Sequence, residues 1–345
     1  MKAAVLYKDR TDLKIEDWKS KSPGPGEVKV RVHSCGVCGS DVHITVHKIM
    51  SLKEYPRIPG HEASGVVAEV GEGVTDFADG QRVVIAAGFS CGDCPACGRQ
   101  RENACEGTGV FGFERDGAYA EEVIVPARCL VSLPDEIPFD QGAIMADAVS
   151  TPYHALKYAG RMEAGEVVAV FGCGGLGIHA VLLAKALGAG KVVAIDVDDG
   201  ALQNAAAFGA DDILNVRDMK HVGKTLKEKT GGVDIVLEFS GHYGNVEQSL
   251  RAMNPLGRIV MVGIGRGKIT LQLPLQITSR QISLIGSFGS DMRAIPDLMQ
   301  LFLDKKLDLS RSITSHHPLE ELNDCLENLH HRNGNPIRYI IEPGS

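Results

Sequence analysis

Short apolar stretches broken by turn residues fill the first 150 positions. Val28–His33, Ala63–Val70, Gln81–Ile85 and Glu121–Val125 are rich in β-branched residues, and Pro-Gly, Gly-Glu-Gly and Asp-Gly turns punctuate the region. That pattern predicts a compact β domain with its chemistry on loops. From about Thr151 the period changes. Apolar strands at Val167–Phe171, Lys191–Ile195, Val233–Leu237 and Arg258–Val262 alternate with helix-like runs at Gly175–Leu187, Leu202–Phe208 and Val246–Met253. This is the βαβ rhythm of a parallel sheet. Ile282–Ile285 is expected to close that sheet, and Asp291–Phe302 and Leu319–Leu329 read as apolar-faced helices. Ile337–Ile341 reads as a final strand that rejoins the first domain. The expected division is 1–150, 151–287 and 288–345, in an α/β chain long enough for two cores.

Two motifs stand out against this frame. Cys91-Gly-Asp-Cys94-Pro-Ala-Cys97, closed by Cys105, brings four thiols together within a short span. Zinc accepts a tetrahedral all-sulfur shell, and a closed shell of that kind is structural, with no position for substrate. An iron–sulfur cluster fits less well, because the last interval departs from the ferredoxin run and no proline follows Cys105. The second motif, Gly172-Cys-Gly-Gly175-Leu176-Gly177, lies between a predicted strand and a predicted helix. Asp196 follows Gly177 by 19 residues, at the end of the next strand. In that setting Gly172 permits the turn, Gly174 lets backbone approach a pyrophosphate, and Gly177 allows close helix packing. The Asp196 carboxylate suits the adenosine ribose hydroxyls and repels a 2′-phosphate. With Asp198 and Asp199 adding negative charge and no arginine beside them, NAD is expected over NADP.

Composition removes several alternatives. The chain has 36 Lys+Arg against 44 Asp+Glu, a formal charge of -8, and no basic tail to attract nucleic acid. The first residues, Met-Lys-Ala-Ala-Val-Leu-Tyr, meet charge too soon for a signal peptide. Val167–Ala184 is nearly long enough for a membrane span, but its glycine turn favours a buried strand–turn–helix. Nine cysteines, four at metal spacing in a long chain, point to a reducing, cytoplasmic setting.

Upstream, Cys38-Gly-Ser40-Asp41-Val-His43 and Gly60-His61-Glu62 place polar side chains beside turn glycines. Cys38 and His61 are reasonable ligands for a second zinc, and a catalytic site needs three protein ligands and an open position. Spacing leaves the third open among Glu62, Asp147 and His154. Cys129, Cys173 and Cys325 read as small buried fillers.

Taken together, Cys35-Gly-Val-Cys38-Gly-Ser-Asp41, Gly60-His-Glu62, the four-cysteine loop, Asp147-Ala-Val-Ser-Thr151 and the nucleotide turn resemble the zinc-containing medium-chain alcohol dehydrogenase family over nearly the whole chain. The resemblance implies a GroES-like β-rich catalytic domain beside a Rossmann doubly wound parallel-sheet domain, with the hydride-transfer cleft between them. It implies Cys38, His61 and Asp147 as catalytic-zinc ligands, Glu62 as an acid able to enter the shell, and Cys91, Cys94, Cys97 and Cys105 as the structural zinc site. Ser40 and His43 become the proton path. Thr151, Val262, Ile264, Ser287 and Phe288 become coenzyme-lining residues, and Arg338 a contact to the pyrophosphate.

The expected reaction is reversible oxidation of an alcohol, secondary in preference, to an aldehyde or ketone with NAD and two zinc ions per chain. The expected assembly is a homodimer or homotetramer acting on a small molecule, with neither nucleic acid nor membrane as partner. A polyol, amino-alcohol or hydroxyacyl-thioester dehydrogenase would share the chemistry with a different pocket, drawn from stretches such as Ile44–Tyr55 and Phe111–Gly117. Ile44–Tyr55 carries His47, Lys48 and Lys53, which suit either a solvated loop or recognition of a charged substrate. A nonenzymatic NADH-sensing or structural protein is the alternative of another class.

Overall fold

The computed structural model describes residues 1–48, 52–272 and 274–345. Residues 49–51 of the Ile44–Tyr55 stretch therefore lie outside the described residues. The chain forms two units, Met1–Ser150 with Ser290–Ser345, and Thr151–Gly289.

The first unit begins with β1 (Lys2–Val5), β2 (Lys14–Asp17), β3 (Glu27–Gly36), α1 (Gly39–Thr45), β4 (Glu62–Val70), β5 (Arg82–Ile85), β6 (Gly88–Phe89), β7 (Gly109–Val110), β8 (Glu122–Pro126) and β9 (Leu130–Ser132). Helix α2 (Phe139–Ile144) leads into a π-helical turn, Met145–Val149, and then α3 (Ser150–Tyr153). Alternation builds the central strand: Val28, Val30 and Val32 are buried while Arg31 and His33 are not. Period-two burial of this kind marks a sheet with one face on the core. The core gathers those valines with Val67, Val83, Val123, Val125 and Tyr119.

The second unit holds β10 (Val167–Phe171), α4 (Gly177–Ala186), β11 (Lys191–Asp196), α5 (Asp199–Ala207), β12 (Asp212–Asn215), α6 (Val222–Thr230), β13 (Val233–Glu238), α7 (Gly244–Leu250), β14 (Met253–Met261), α8 (Pro274–Arg280) and β15 (Ser283–Gly286). Its six strands are parallel in the order β12-β11-β10-β13-β14-β15. Val168–Phe171 and Val192–Ile195 are buried without alternation, as a sheet covered on both faces requires. The strand order reverses between β10 and β13, where ligands of doubly wound folds collect outside the carboxyl ends of the strands.

The chain then returns to the first unit through α9 (Ala294–Leu303), β16 (Ser315–Pro318), α10 (Leu322–His331) and β17 (Tyr339–Glu342). Strand β17 pairs antiparallel with β3, Ile341 opposite Cys35, and completes the sheet β16-β17-β3-β4-β5-β9, with β8 also on β3.

Several boundaries differ from the periodicity: α5 begins at Asp199 and β14 at Met253. The helix expected over Val246–Met253 stops at Leu250, and Met253 opens β14 opposite Val233. Its apolar side chain serves the sheet core. Strand β12 and helix α6 were not anticipated, because Asp212–Asn215 is short and polar-ended and α6 buries only Val222, Gly223 and Leu226. Among the described residues no helix is long and apolar enough to cross a membrane. The Val167–Ala184 run divides into β10, a glycine turn and α4.

Candidate active site and metal centres

The four-cysteine loop folds on itself through two 3₁₀ turns, Cys97–Arg99 and Glu102–Ala104. Its sulfurs lie 3.5 Å apart for Cys94–Cys97, 3.4 Å for Cys91–Cys105 and 3.9 Å for Cys91–Cys97. A tetrahedral shell with Zn–S near 2.3 Å places its sulfurs about 3.8 Å from one another, so the spacing fits the ion. The backbone N–H of Cys97 lowers the Cys94 thiol to about 7, which favours the thiolate form that zinc binds. The N–H groups of Cys91 and Gly107 both point at the Cys105 sulfur.

A second donor cluster joins Cys38, His61, Glu62 and Asp147, with ligand atoms all within 4.8 Å of one another. Cys38 is the cap residue before α1, and the strand β3 leads into it. His61 immediately precedes β4, and Asp147 projects from the π-helical turn after α2. The Asp147 Oδ2 atom lies 3.7 Å from Cys38 Sγ and 3.7 Å from His61 Nε2. Those separations match the edges of a tetrahedron with one S, one N and one O at about 2.0–2.3 Å from zinc. His154, left open by spacing, sits in the second unit with its ring 5.6 Å from Tyr158. No metal-sized group among the described residues includes it.

Asp41 is the residue that motif spacing left without a role. Its Oδ2 accepts from the Cys38 N–H at 3.0 Å and from the Tyr119 hydroxyl at 2.7 Å. Its Oδ1 faces His61 Nδ1 across 3.6 Å. A carboxylate behind a ligating imidazole fixes the ring and directs the other nitrogen to the metal. The only sequence signal was an acid three residues after a cap position, the reciprocal half of a capping box. Burial disfavours a charged His61, yet Asp41, Asp147 and Cys38 outweigh it and push the imidazole well above its ordinary value. The pocket therefore presents a field that asks for a cation.

Glu62, the fourth donor of this cluster, pairs with Arg338. Glu62 Oε2 lies 3.4 Å from Arg338 Nε, and both side chains are buried. Burial raises Glu62 to about 7, against the pull of Arg338 and with the help of Asp147. Arg338 also donates from Nη1 to the Val37 carbonyl at 2.8 Å, while its Nη2 has no hydrogen-bond partner among the described residues. Thus the arginine expected at the pyrophosphate reaches the carboxylate beside the metal ligands, a contact across 276 positions that no local motif could show.

Ser40 lies in the first turn of α1 with its Oγ 3.3 Å from His61 Nε2. His43 follows one turn later, half-buried, and burial with His47 nearby lowers its pKa. A hydroxyl beside the metal-facing nitrogen and an imidazole at i+3 can hold a proton in succession.

In the second unit, the nucleotide turn adopts the predicted strand–turn–helix. Gly172 has φ of 84°, and a Cβ on Gly177 would stand 1.8 Å from the Gly172 carbonyl oxygen. Close packing thus requires glycine at 177, whereas a Cβ at Gly174 would meet nothing within 4 Å and leaves room for a ligand. Leu176 caps α4, and the Gly175 carbonyl contacts His179 Nδ1 at 2.7 Å. Asp196 ends β11 and accepts from the N–H groups of Cys173, Val197 and Asp198 at 2.7, 2.7 and 3.0 Å. The fold adds a cation that the local sequence did not reveal: Arg217 Nε donates to the Val197 carbonyl at 3.1 Å. Glu238 organises the loop after β13, accepting from Ser240 N and Gly241 N at 3.0 Å each.

Of the remaining expected coenzyme residues, Thr151 is buried at the start of this unit, and Val262 N donates to the Glu238 carbonyl at 2.9 Å. Ser287 is buried with no hydrogen-bond partner for its hydroxyl among the described residues, while Ile264 and Phe288 are exposed.

Comparison with known proteins agrees with both units. Residues 24–135 match the Alcohol dehydrogenase GroES-like domain family, and residues 175–304 match the Zinc-binding dehydrogenase family. An alcohol dehydrogenase of Geobacillus stearothermophilus is 34% identical over 95% of this chain and 96% of its own. The L-idonate 5-dehydrogenase of Vitis vinifera is 31% identical over 88% of this chain and 84% of its own. The crystal structure of 2R,3R-butanediol dehydrogenase from Bacillus subtilis superposes with a TM-score of 0.90 at 28% identity, covering 99% of each chain. With its GroES-like and Rossmann-type domains, its two clusters of zinc-type donors and these relatives, the chain belongs to the zinc-containing medium-chain alcohol dehydrogenase family and is an oxidoreductase of alcohol- or polyol-dehydrogenase type.

Proposed function

We propose that the chain reversibly oxidises a secondary alcohol or polyol to the ketone with NAD, using one catalytic and one structural zinc. The observation that carries this reading is the convergence of Cys38, His61 and Asp147 from three separate elements onto one buried point beside Ser40. Zinc held by these three residues would supply a Lewis acid for the substrate oxygen. The Asp41 charge, 3.6 Å from His61 Nδ1, favours a proton on that nitrogen, which leaves the Nε2 lone pair for the metal side. Ser40 Oγ accepts the hydroxyl proton of the alcohol, and His43 takes it onward. Arg338 offsets the Glu62 charge, which would otherwise stand uncompensated in a buried place. In the nucleotide unit, Gly174 leaves space for the pyrophosphate, Thr151, Val262, Ile264, Ser287 and Phe288 line the coenzyme, and Asp196 takes the adenosine ribose.

The preference for a secondary carbinol is supported by the names of the relatives, since 2R,3R-butanediol carries only secondary hydroxyls. Arg217 favours a second reading of the cofactor, because a guanidinium beside Val197 suits a 2′-phosphate, and a solved relative at 27% identity is described as bound to NADP. Three acids at Asp196, Asp198 and Asp199 weigh toward NAD. We place the enzyme in the cytoplasm as a homodimer or homotetramer; among the described residues the nine cysteines are all free thiols.

The test is a panel of primary and secondary alcohols, polyols, amino-alcohols and hydroxyacyl thioesters with NAD or NADP, read as reduced nicotinamide. Highest catalytic efficiency on a secondary alcohol or polyol with NAD is expected. Turnover confined to primary alcohols or to thioesters would overturn the substrate class.

A further inference from the structure

A row of imidazoles leads outward from the helix that carries Ser40. His43 Nδ1 lies 3.1 Å from His47 Nδ1, and His47 Nε2 lies 3.0 Å from His330 Nδ1. The ring centroids are 5.3 and 4.7 Å apart. His47 follows α1 and its backbone N–H still bonds to Val42, while His330 lies in the last turn of α10, which packs against α1. His43 is half-buried, His47 exposed and His330 partly exposed, so the row runs from interior to surface. The two contacts of His47 use different nitrogens, one on each side of the ring.

We propose that His43, His47 and His330 form a proton wire that carries the proton from the Ser40–His43 pair to solvent. The inference rests on the dehydrogenase reading, in which oxidation of an alcohol yields one proton beside the hydride. The balance is simple. His43, protonated at Nδ1, accepts a proton at Nε2 and passes its Nδ1 proton to His47 Nδ1. His47 passes its Nε2 proton to His330 Nδ1, and His330 releases its Nε2 proton to water. One proton enters and one leaves, and no group is oxidised or reduced. Each ring ends in the opposite tautomer and is reset by ring rotation or by the reverse transfer during carbonyl reduction.

The surroundings suit this role. The lowered pKa of His43 keeps its ring neutral near pH 7, able to accept at Nε2. Of the other charged groups on these elements, Asp41 is turned toward Cys38 and Tyr119, and Glu327 is engaged by His331 at 2.9 Å. Lys48 and Asp324 are exposed, and the His331 ring lies 4.5 Å from that of His330. Among the described residues the ring nitrogens of His43 and His47 meet imidazoles, so neutral rings rather than ion pairs connect the row. A cluster serving only to cap the C-terminus of α10 would need His330 and His331 near its end but not the contacts to His47 and His43.

Stopped-flow experiments on the zinc-loaded enzyme with NAD and its best alcohol separate these roles, reading NADH by absorbance and the proton by an indicator dye. The variants are His47→Asn and His330→Asn, the second at a partly exposed helix end that tolerates change, with retention of both zinc ions, which the same unit holds, as the check on folding. In weak buffer, proton appearance is expected to slow by about tenfold or more in both variants. The KM for alcohol should hold, and free imidazole should restore the rate. In the resting wild type, ¹⁵N spectra should show a proton on His43 Nδ1 whose signal moves in His47→Asn. Proton release at the wild-type rate in both folded variants, with NADH still formed, would overturn the wire and leave the dehydrogenase reading standing. Wild-type protein that forms no NADH from any alcohol would overturn both.

Discussion

Arg338 and Glu62 meet at 3.4 Å inside the first unit, one from the residue before β17 and the other from the first position of β4. Glu62 is one of the four donors gathered with Cys38, His61 and Asp147, so the second carboxylate of that group is matched by a buried cation.

The metal-free protein should lose stability as pH rises from about 5 to 8. Glu62 is raised to about 7 by burial, so folding favours its protonated form, and that contribution fades as pH passes from the unfolded value through 7. His61 is also raised, and its contribution, complete below the unfolded value, is lost on the way to its folded value. Both slopes have the same sign. Thermal melts of chelator-treated protein should therefore fall across this window more steeply than melts of zinc-loaded protein, and Glu62→Gln should flatten the lower half. Parallel curves for the two forms would contradict the assignment.

The two cysteine populations should separate chemically. Burial pushes Cys129 up to about 11 and Cys325 up to about 12, so both should resist alkylation at pH 8 in folded protein. Cys94 is partly exposed and lowered to about 7, so it should react once the metal is stripped and be protected when it is restored, while Cys91, exposed but pushed up to about 12 by the Asp93 side chain, should react more slowly. Cys97→Ser should lose protection at the other three while leaving the catalytic ion in place. Mass spectrometry of alkylated peptides gives the answer.

Asp196 and Arg217 should pull the cofactor choice in opposite directions. Asp196→Ala should weaken NAD by about tenfold, the equivalent of about 1.4 kcal/mol, and improve NADP relative to it. Arg217→Ala should lower NADP efficiency further and leave NAD within a factor of about two. Equal wild-type efficiencies with the two cofactors would sink the preference while sparing the nucleotide fold.

Asp147→Asn should reduce bound zinc from two ions per chain to one, since the four-cysteine group is untouched. Asp147→Cys should retain more of the second ion, because thiolate is an accepted ligand. Asp41→Asn should leave both ions at saturation but weaken the catalytic one about 10–100-fold, the usual cost of losing a carboxylate behind a ligating histidine. Plasma emission spectrometry of dialysed protein distinguishes the three. Two tightly held ions in Asp147→Asn would leave Glu62 as the better third ligand.

Much of this architecture was legible because it is local. Val167–Phe171 is β10 as read from its apolar run, and the glycine turn follows it directly, with Gly177 packed against the Gly172 carbonyl only five residues back. The four cysteines close on one another within a single loop. By contrast, Asp41 gains its meaning from Tyr119 and His61, Arg338 from Glu62, and Arg217 from Val197. Those partners are far apart along the chain, and periodicity carries no information about them. Met253 was misplaced for a related reason: an apolar residue after a helix serves either the helix face or the next strand, and only the pairing with Val233 decides.

The return of β17 to β3 also sets an order of assembly. All six strands of the Thr151–Gly289 unit have been made before Ser290, so this half can fold as a unit while translation continues. The metal-binding half starts earlier on the messenger yet stays open until Arg338 and Tyr339–Glu342 leave the ribosome. Until then Glu62 lacks its cation and the Cys35–Gly36 end of β3 lacks its β17 neighbour. A nascent chain halted in this last stretch thus holds a finished cofactor lobe beside an unfinished catalytic one. The part of the protein synthesised first is the part a chaperone must guard longest.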